Sequence, residues 1–328
     1  MKFLFAGLGS IGQRHLKNLY SMGYRDFLAH RTKEAEDSFE KEFGVKRVKS
    51  FEQGLVEKPD AVFVTNPTSL HVSYALRAVM AGSHVFIEKP LSNNMDGVDE
   101  LIQNTEKMQR IVFVGYHLRF HPVLRSIKAV LEKGVIGKPI AAHISVGQNL
   151  SDWHPDEDYK KSYASQKKLG GGVILTLSHE LDYASWLFGR PLSVYCLGGH
   201  KSNLMMNVED VAKMLVEFES GCIADIHLDY LQRPARREFQ VIGEKGKIEW
   251  DYFSDHAKII LHTGSVQELT LPVDFNKNMM YLDEVKNFIN VIKGKEKQRS
   301  TLEDAVNVLK FSMAALESME KKAPIFIT

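Results

Sequence analysis

The sequence predicts an α/β N-terminal domain, a parallel sheet with helices on both faces, followed by an α+β C-terminal domain with a large, mainly antiparallel open sheet. Three observations predict it. The chain opens on a short apolar run that leads through a glycine-rich turn into a helix-like stretch. Its first third alternates near-continuous apolar strands with helical patterns. From about residue 140 the strands change to apolar/polar alternation separated by short loops.

Taken in order, Phe3, Leu4, Phe5 and Ala6 form the first strand, and Ile11, His15, Leu16 and Leu19 give the next helix its repeat. Residues 26–30 read as a second strand and 33–43 as a polar helix ending at Gly44. A β-branched strand follows at 61–65, then a helix from about 68 to 81, stopped by Gly82. Strand 84–87, helix 96–108 and strand 111–114 complete the parallel set. The pattern changes at His121-Pro122, which divides the chain into domains 1–121 and 122–328. Helix 123–132 opens the second domain. Strands are expected at 141–148, 192–197, 212–219, 222–230, 237–243, 247–250, 258–261 and 267–271, with one helical insert at 172–188 and closing helices at 280–292 and 302–318. In the clearest strand, Ala224, Ile226, Leu228 and Tyr230 fall on one face and Ile223, Asp225, His227 and Asp229 on the other. That apolar face must be covered, so a homodimer or homotetramer through the C-terminal sheet is expected.

Composition excludes several classes. The 328 residues are 44% hydrophobic and 25% charged, with net charge +1, so neither nucleic acid nor a membrane surface is expected as the partner. The two cysteines, Cys196 and Cys222, have no metal-ligand spacing, and no metal site is expected. No apolar run approaches about 18 residues, and the N-terminus lacks a signal-peptide pattern; the expected location is cytoplasmic.

The opening turn reads Gly7-Leu8-Gly9-Ser10-Ile11-Gly12, a G-x-G-x-x-G placed between strand and helix. Gly7 permits the tight turn, Gly9 lets backbone approach a pyrophosphate, and Gly12 allows the helix to pack on the strand. The helix N-terminus, at Ser10 and Ile11, offers N–H groups to phosphate. This is the fingerprint of a Rossmann dinucleotide-binding domain. At the end of the second strand no acid stands ready for the ribose hydroxyls; the chain reads Ala29-His30-Arg31-Thr32-Lys33. Arg31 and Thr32 suit a 2′-phosphate, which favours NADP(H) and leaves NAD(H) open, and the other reading is solvated charge at a helix start.

Further candidates lie at strand ends, where an open parallel sheet binds ligands. Asn66-Pro67, with His71 beyond, either borders the nicotinamide half of a cofactor or forms an ordinary turn. Glu88-Lys89-Pro90 ends the next strand. Lys89 either holds a substrate hydroxyl and its developing charge or pairs with Glu88. In the insert, Gly170-Gly171-Gly172 leads to Thr176, His179 and either Asp182 or Tyr183, which share a face at helical spacing. His179 is either a general base or a core histidine satisfied by Asp182. Arg119, His154, Tyr159 and Tyr163 are substrate-side candidates, and Arg233, Arg236 and Arg237 form either an anion site or a solvated edge. Residues 149–168 read as a loop that could close over substrate.

In this order the motifs resemble the glucose–fructose oxidoreductase/inositol dehydrogenase (Gfo/Idh/MocA) family. They are GLGSIG at 7–12, Asn66-Pro67 with His71, Glu88-Lys89-Pro90, Arg119-Phe120-His121-Pro122, the 170–172 glycines, His179-x-x-Asp182 and Leu302-Glu303-Asp304-Ala305. The resemblance covers essentially the whole chain. It implies an NAD(P)-dependent dehydrogenase or reductase acting on the CH–OH groups of a sugar, cyclitol or sugar-nucleotide-like substrate. It casts Lys89 as the catalytic lysine and His179 as the acid/base, and implies a cis Lys89–Pro90 bond. One departure stands out: many members carry an aspartate about one turn before the histidine, where this chain has Leu175 and Thr176. That departure keeps a second reading alive, a non-catalytic NAD(P)-binding regulator or scaffold on the same fold.

Overall fold

The computed structural model describes residues 1–31, 38–153, 158–254 and 256–327. The chain divides into two compact units, one of residues 1–117 and 277–306, the other of 118–276 and 307–328.

The first unit is built on strands β1 (Lys2–Ala6), β2 (Asp26–His30), β3 (Lys46–Arg47), β4 (Ala61–Val64), β5 (His84–Glu88) and β6 (Val112–Gly115). They form one sheet in the order β3-β2-β1-β4-β5-β6, and every pairing is parallel. Helices α1 (Ser10–Ser21), α2 (Ser38–Phe43), α3 (Phe51–Val56), α4 (His71–Met80) and α5 (Val98–Lys107) connect them. Strands β1 and β4 are neighbours from which the chain departs in opposite directions, so the switch point lies at Gly7 and Thr65. Phe5, Phe63, Phe86 and Phe113 stand at matching register on adjacent strands and stack at 5.0, 4.9 and 5.4 Å. This aromatic row explains why the four strands read as continuous apolar runs: both of their faces are buried.

The row also corrects the expected single boundary. Helix α9 (Asn278–Ile292) sets Phe288 against Phe63, Phe86 and Phe113 at 5.8, 5.6 and 5.8 Å. Residues 277–306 therefore return to the first unit, although sequence order had placed them with the second. Lys33 and the start of the expected 33–43 helix lie outside the described residues.

The second unit contains α6 (Pro122–Glu132), β7 (Pro139–Gly147), α7 (Val173–Thr176), α8 (His179–Phe188), β8 (Pro191–Gly199), β9 (Val211–Phe218), β10 (Ile223–Asp229), β11 (Arg236–Gly243), β12 (Gly246–Asp251), β13 (His256–Leu261), β14 (Val266–Thr270) and β15 (Ile325–Phe326). Helix α10 (Leu302–Lys321) spans the division between the units. The nine-stranded sheet runs β14-β13-β12-β11-β7-β10-β9-β8-β15. Its pairings are antiparallel except β7 with β10, which is parallel.

The expected alternation in β10 is present, but its consequence is corrected. Ala224, Ile226, Leu228 and Tyr230 are all 0–1% exposed within the single chain. Phe188 packs on Phe218 and Phe239, Tyr183 on Trp250, and Phe311 on Phe218, so the chain's own helices close this face. The opposite face exposes Leu197, Leu215, Ile223 and Ile242. The insert is likewise two helices rather than one. Leu177, at φ −95° and ψ 31°, leaves helical geometry between Thr176 and Ser178, both weak helix formers. Thr176 thus ends one helix and His179 begins the next, and they do not share a helical face.

Among the described residues, no helix is long and apolar enough to cross a membrane.

Candidate functional site

The glycine turn behaves as its spacing requires. Gly7 has φ +93°, and a Cβ there would stand 2.9 Å from the Asn66 nitrogen, so both the turn and its approach to β4 demand glycine. A Cβ on Gly12 would stand 2.8 Å from Thr65 Oγ1 and 3.0 Å from the Gly7 carbonyl oxygen. Gly9 differs: nothing lies within 4 Å of its Cβ position. Its side faces open space at the N-terminus of α1, where Ser10 and Ile11 present their N–H groups. Thr65 is a site residue that no spacing rule singles out. It fixes this turn by donating its Oγ1 hydroxyl to the Gly7 carbonyl at 2.8 Å, while its N–H bonds Ala6 at 3.0 Å.

Asn66 follows at the end of β4. Its side-chain Oδ1 and Nδ2 are buried and find no protein partner among the described residues. A buried amide with both functions unspent, beside a turn whose Gly9 leaves room for a close neighbour, fits a dinucleotide. His71 does a different job from the cofactor contact expected of it. Its Nδ1 lies 2.8 Å from the Pro90 carbonyl and its Nε2 2.9 Å from the Asn66 carbonyl. Burial holds this ring below the usual histidine range against the pull of both carbonyls, so a neutral ring donates to one at a time while spanning both strand ends.

At the end of β5 the Lys89–Pro90 bond is cis, as the resemblance implied. Glu88 turns inward. Its Oε1 lies 2.6 Å from His15 Nε2, and its Oε2 accepts the Lys89 backbone N–H at 3.2 Å. At the end of β2, Arg31 lies 3.5 Å from the buried carboxylate of Glu40, which also holds Arg47 at 2.6 Å. Thr32 lies outside the described residues.

In the second unit, Arg119, Thr176, His179 and Asp182 are all buried and Tyr163 is half-buried. The expected partner of His179 is engaged elsewhere. Both Asp182 oxygens accept from Arg119, at 2.7 to 3.0 Å, in a buried fork. Arg119 thus braces α8 and is not presented to a ligand as a surface arginine would be. The expected arginine cluster also resolves into separate ion pairs: Arg233 with Asp152 at 2.8 Å, Arg237 with Glu180 at 2.7 Å, and Arg236 with Glu238. The 149–168 segment is a series of short 3-10 turns at Leu150–Asp152, Tyr159–Lys161 and Tyr163–Ser165, and His154 lies outside the described residues. The Tyr159 hydroxyl accepts the Met205 N–H at 3.2 Å.

Glu209 belongs to no motif in the chain, yet the structure gives it a task. Its backbone carbonyl accepts the Val173 N–H at 3.1 Å and its Oε1 accepts the Ile174 N–H at 3.2 Å, so it holds the first turn of α7. A Cβ on Gly172 would stand 2.2 Å from that carboxylate, which explains the glycine. Burial pushes Glu209 up to about 7.

Residues 1–116 match the family model described as an oxidoreductase family with an NAD-binding Rossmann fold, and residues 124–249 match the Gfo/Idh/MocA C-terminal domain. The chain belongs to the Gfo/Idh/MocA oxidoreductase family. Relatives of this Gfo/Idh/MocA protein include the myo-inositol 2-dehydrogenase of Thermotoga maritima, 27% identical over 99% of this chain and 98% of that protein. Another is the scyllo-inositol 2-dehydrogenase (NAD+) of Bacillus subtilis, 25% identical over 97% and 94%. Among solved structures, levoglucosan dehydrogenase in complex with NADH superposes with TM-score 0.89 at 17% identity, covering 100% and 99% of the two chains. The WlbA dehydrogenase of Bordetella pertussis, in complex with NADH and UDP-GlcNAcA, gives 0.83 at 20% identity, again over 100% and 99%. Family membership makes the chain an oxidoreductase with a nicotinamide-dinucleotide domain.

Proposed function

We propose that this enzyme transfers hydride between a nicotinamide dinucleotide and a secondary alcohol of a sugar, cyclitol or sugar-nucleotide-like substrate. The observation that carries the reading is the alignment of the open Gly9 turn, the unspent Asn66 amide and the Lys89 turn at the ends of β1, β4 and β5, three adjacent strands at the switch point. The nicotinamide ring supplies the hydride acceptor or donor. Gly9, Ser10, Ile11 and Gly12 would hold the pyrophosphate, and Asn66 and Pro67 would lie on the nicotinamide side. The Lys89 ammonium holds the substrate hydroxyl and stabilises negative charge as its proton leaves. On the second unit His179 is the proposed acid/base, and the Arg119–Asp182 fork braces the helix that carries it. Thr176 and Tyr163 contribute on the substrate side. Glu88 and His71 serve from behind, through the turn that carries Lys89.

With no acid directly after β2 and Arg31 next in the chain, NADP(H) is the favoured cofactor and NAD(H) the alternative. Arg31→Ala should weaken NADP(H) far more than NAD(H) in fluorescence titrations; equal losses would return the preference to NAD(H). Homologous enzymes named for inositols and a reductase named for 1,5-anhydro-D-fructose support a cyclitol or sugar alcohol as substrate. A homo-oligomer through the C-terminal sheet would use its open face, at Leu197, Leu215, Ile223 and Ile242, and a monomer by light scattering at micromolar concentration would exclude it. The deciding experiment is steady-state turnover of the purified protein with each cofactor against a panel of inositols, sugars and nucleotide sugars. Cofactor binding without turnover of any member would favour a regulator or scaffold instead.

A further inference from the structure

In the first unit, His15 of α1, Glu88 of β5 and Glu284 of α9 bring their ligand-type atoms within 4.8 Å of one another. His15 and Glu284 are fully buried. The spacing invites a metal, but the chemistry of the contacts argues otherwise. His15 Nε2 and Glu88 Oε1 stand 2.6 Å apart, the length of a charge-assisted hydrogen bond. Nitrogen and oxygen ligands at bonding distance from one tetrahedral zinc stand roughly 3 Å apart. The Glu284 carboxyl has no hydrogen-bond partner among the described residues. Burial, then the charge of Glu88, push it well above the usual carboxylate range, and Arg14 pulls the other way. A proton neutralises that carboxyl without a cation.

What the cluster touches is the turn bearing Lys89. The His15 ring is wedged against Phe86 at 4.8 Å, Phe63 at 5.7 Å and Tyr281 at 6.2 Å, so its Nε2 has one direction to point. It points at Glu88, whose second oxygen takes the Lys89 N–H. On the far side of Lys89, His71 lies against the Pro90 carbonyl. The main chain is thus gripped on either side of the lysine by buried side chains from α1, β5 and α4.

We propose that His15 and Glu88 are positioning residues for Lys89, linking the helix that follows the glycine turn to the strand end that carries the lysine. The proposal rests on the reading of Lys89 as the residue that meets the substrate hydroxyl. It gives His15, a polar member of an otherwise apolar stripe, a task in catalysis without contact to substrate or cofactor.

The test compares His15→Ala, His15→Gln, Glu88→Gln and the double variant His15→Ala/Glu88→Gln with wild type. The first readout is hydrogen exchange at the Lys89 amide, followed by NMR and independent of any substrate. His15→Ala should accelerate exchange there about tenfold while amides of α5 keep their rates, and His15→Gln, which returns an N–H donor near the same point, should restore most of the protection. The second readout is turnover of the alcohol found active in the panel. His15→Ala and Glu88→Gln should each lower kcat about tenfold, with KM and cofactor Kd within twofold. The double variant should be no slower than the slower single one, since both changes break one contact. Unchanged exchange at Lys89, multiplicative losses in the double variant, or losses confined to cofactor Kd would overturn the proposal. So would one equivalent of zinc per chain that disappears in Glu88→Gln. Lys89→Met separates the two levels: if it retains turnover, the reading of Lys89 fails whatever the exchange data show.

Discussion

Replacing Glu209 by glutamine isolates one buried proton. In the folded chain this carboxyl titrates at about 7, against an ordinary value of 4.5, because burial outweighs the backbone N–H groups of Glu209 and Ile174 and the charge of Lys167, with a smaller push from Asp210. Below pH 4.5 both folded and unfolded chains hold the proton, and the group is neutral in its effect. As pH rises from 4.5 towards 7 the unfolded chain releases a proton that the folded chain keeps, so stability falls with pH across that window and levels off above it. The shift, 7 minus 4.5, is 2.5 pH units; at about 1.4 kcal/mol per unit it amounts to about 3 kcal/mol. Glutamine keeps an oxygen for the Ile174 N–H but has nothing to titrate. The stability of Glu209→Gln relative to wild type should therefore rise by about 3 kcal/mol between pH 4.5 and pH 8. Urea unfolding of both proteins at several pH values, followed by tryptophan fluorescence, gives the difference directly. An offset that stays constant across the range would show that Glu209 is ionised throughout, and that its grip on α7 is an ordinary charged cap.

Four further outcomes are expected. Gly9→Val should abolish NADPH and NADH binding in fluorescence titrations while leaving the melting temperature nearly unchanged, because its Cβ meets nothing in the protein. Gly12→Ala should instead destabilise by about 1–3 kcal/mol in thermal melts, since its Cβ would press on Thr65 and the Gly7 carbonyl. Asp182→Asn leaves the Arg119 charge buried without its counter-ion and should cost roughly 3–5 kcal/mol by urea denaturation; a loss below about 1 kcal/mol would mean that the fork does not brace α8. Lys89→Met should cut turnover on the order of a hundredfold or more with cofactor affinity retained, and near-normal turnover would remove Lys89 from the chemistry.

The parallel sheet was legible because its strands are buried on both faces and nothing else imitates such runs. The second strand and strands β7 to β14 lie within a residue or two of where alternation places them, whereas β15, two residues long, was not expected. Strand β3 and helix α3 went unseen because two residues of Lys-Arg and six containing Gly54 carry no period to read. The insert misled for a local reason: its apolar residues repeat helically across Leu177, but the backbone turns out of the helix there. For the site, residues that must approach a ligand by backbone were plain, because a missing side chain at fixed spacing is itself the signal of close approach. Partners were not. Asp182 lies one turn from His179 in sequence, yet its carboxylate goes to Arg119, distant along the chain, and no spacing rule ranks those options. His15 looked like an ordinary member of an apolar stripe, and Glu209 and Glu284 carried no signal, because burial of a carboxylate is a property of the fold around it.

The return of α9 to the first unit has a consequence for how the protein is made. When the ribosome has completed residue 117, every strand of the parallel sheet exists, but Phe288, which caps Phe63, Phe86 and Phe113, does not. The nascent sheet must leave the side of that aromatic row that Phe288 covers in water, or against a chaperone, while nearly all of the second unit's sheet is synthesised. Vectorial folding therefore runs out of numerical order, with β7 to β14 made before the dinucleotide half can close. A gene cut at residue 121 would yield a fragment with the entire glycine fingerprint and a sticky aromatic flank, and such a fragment should aggregate unless residues 277–306 are supplied with it.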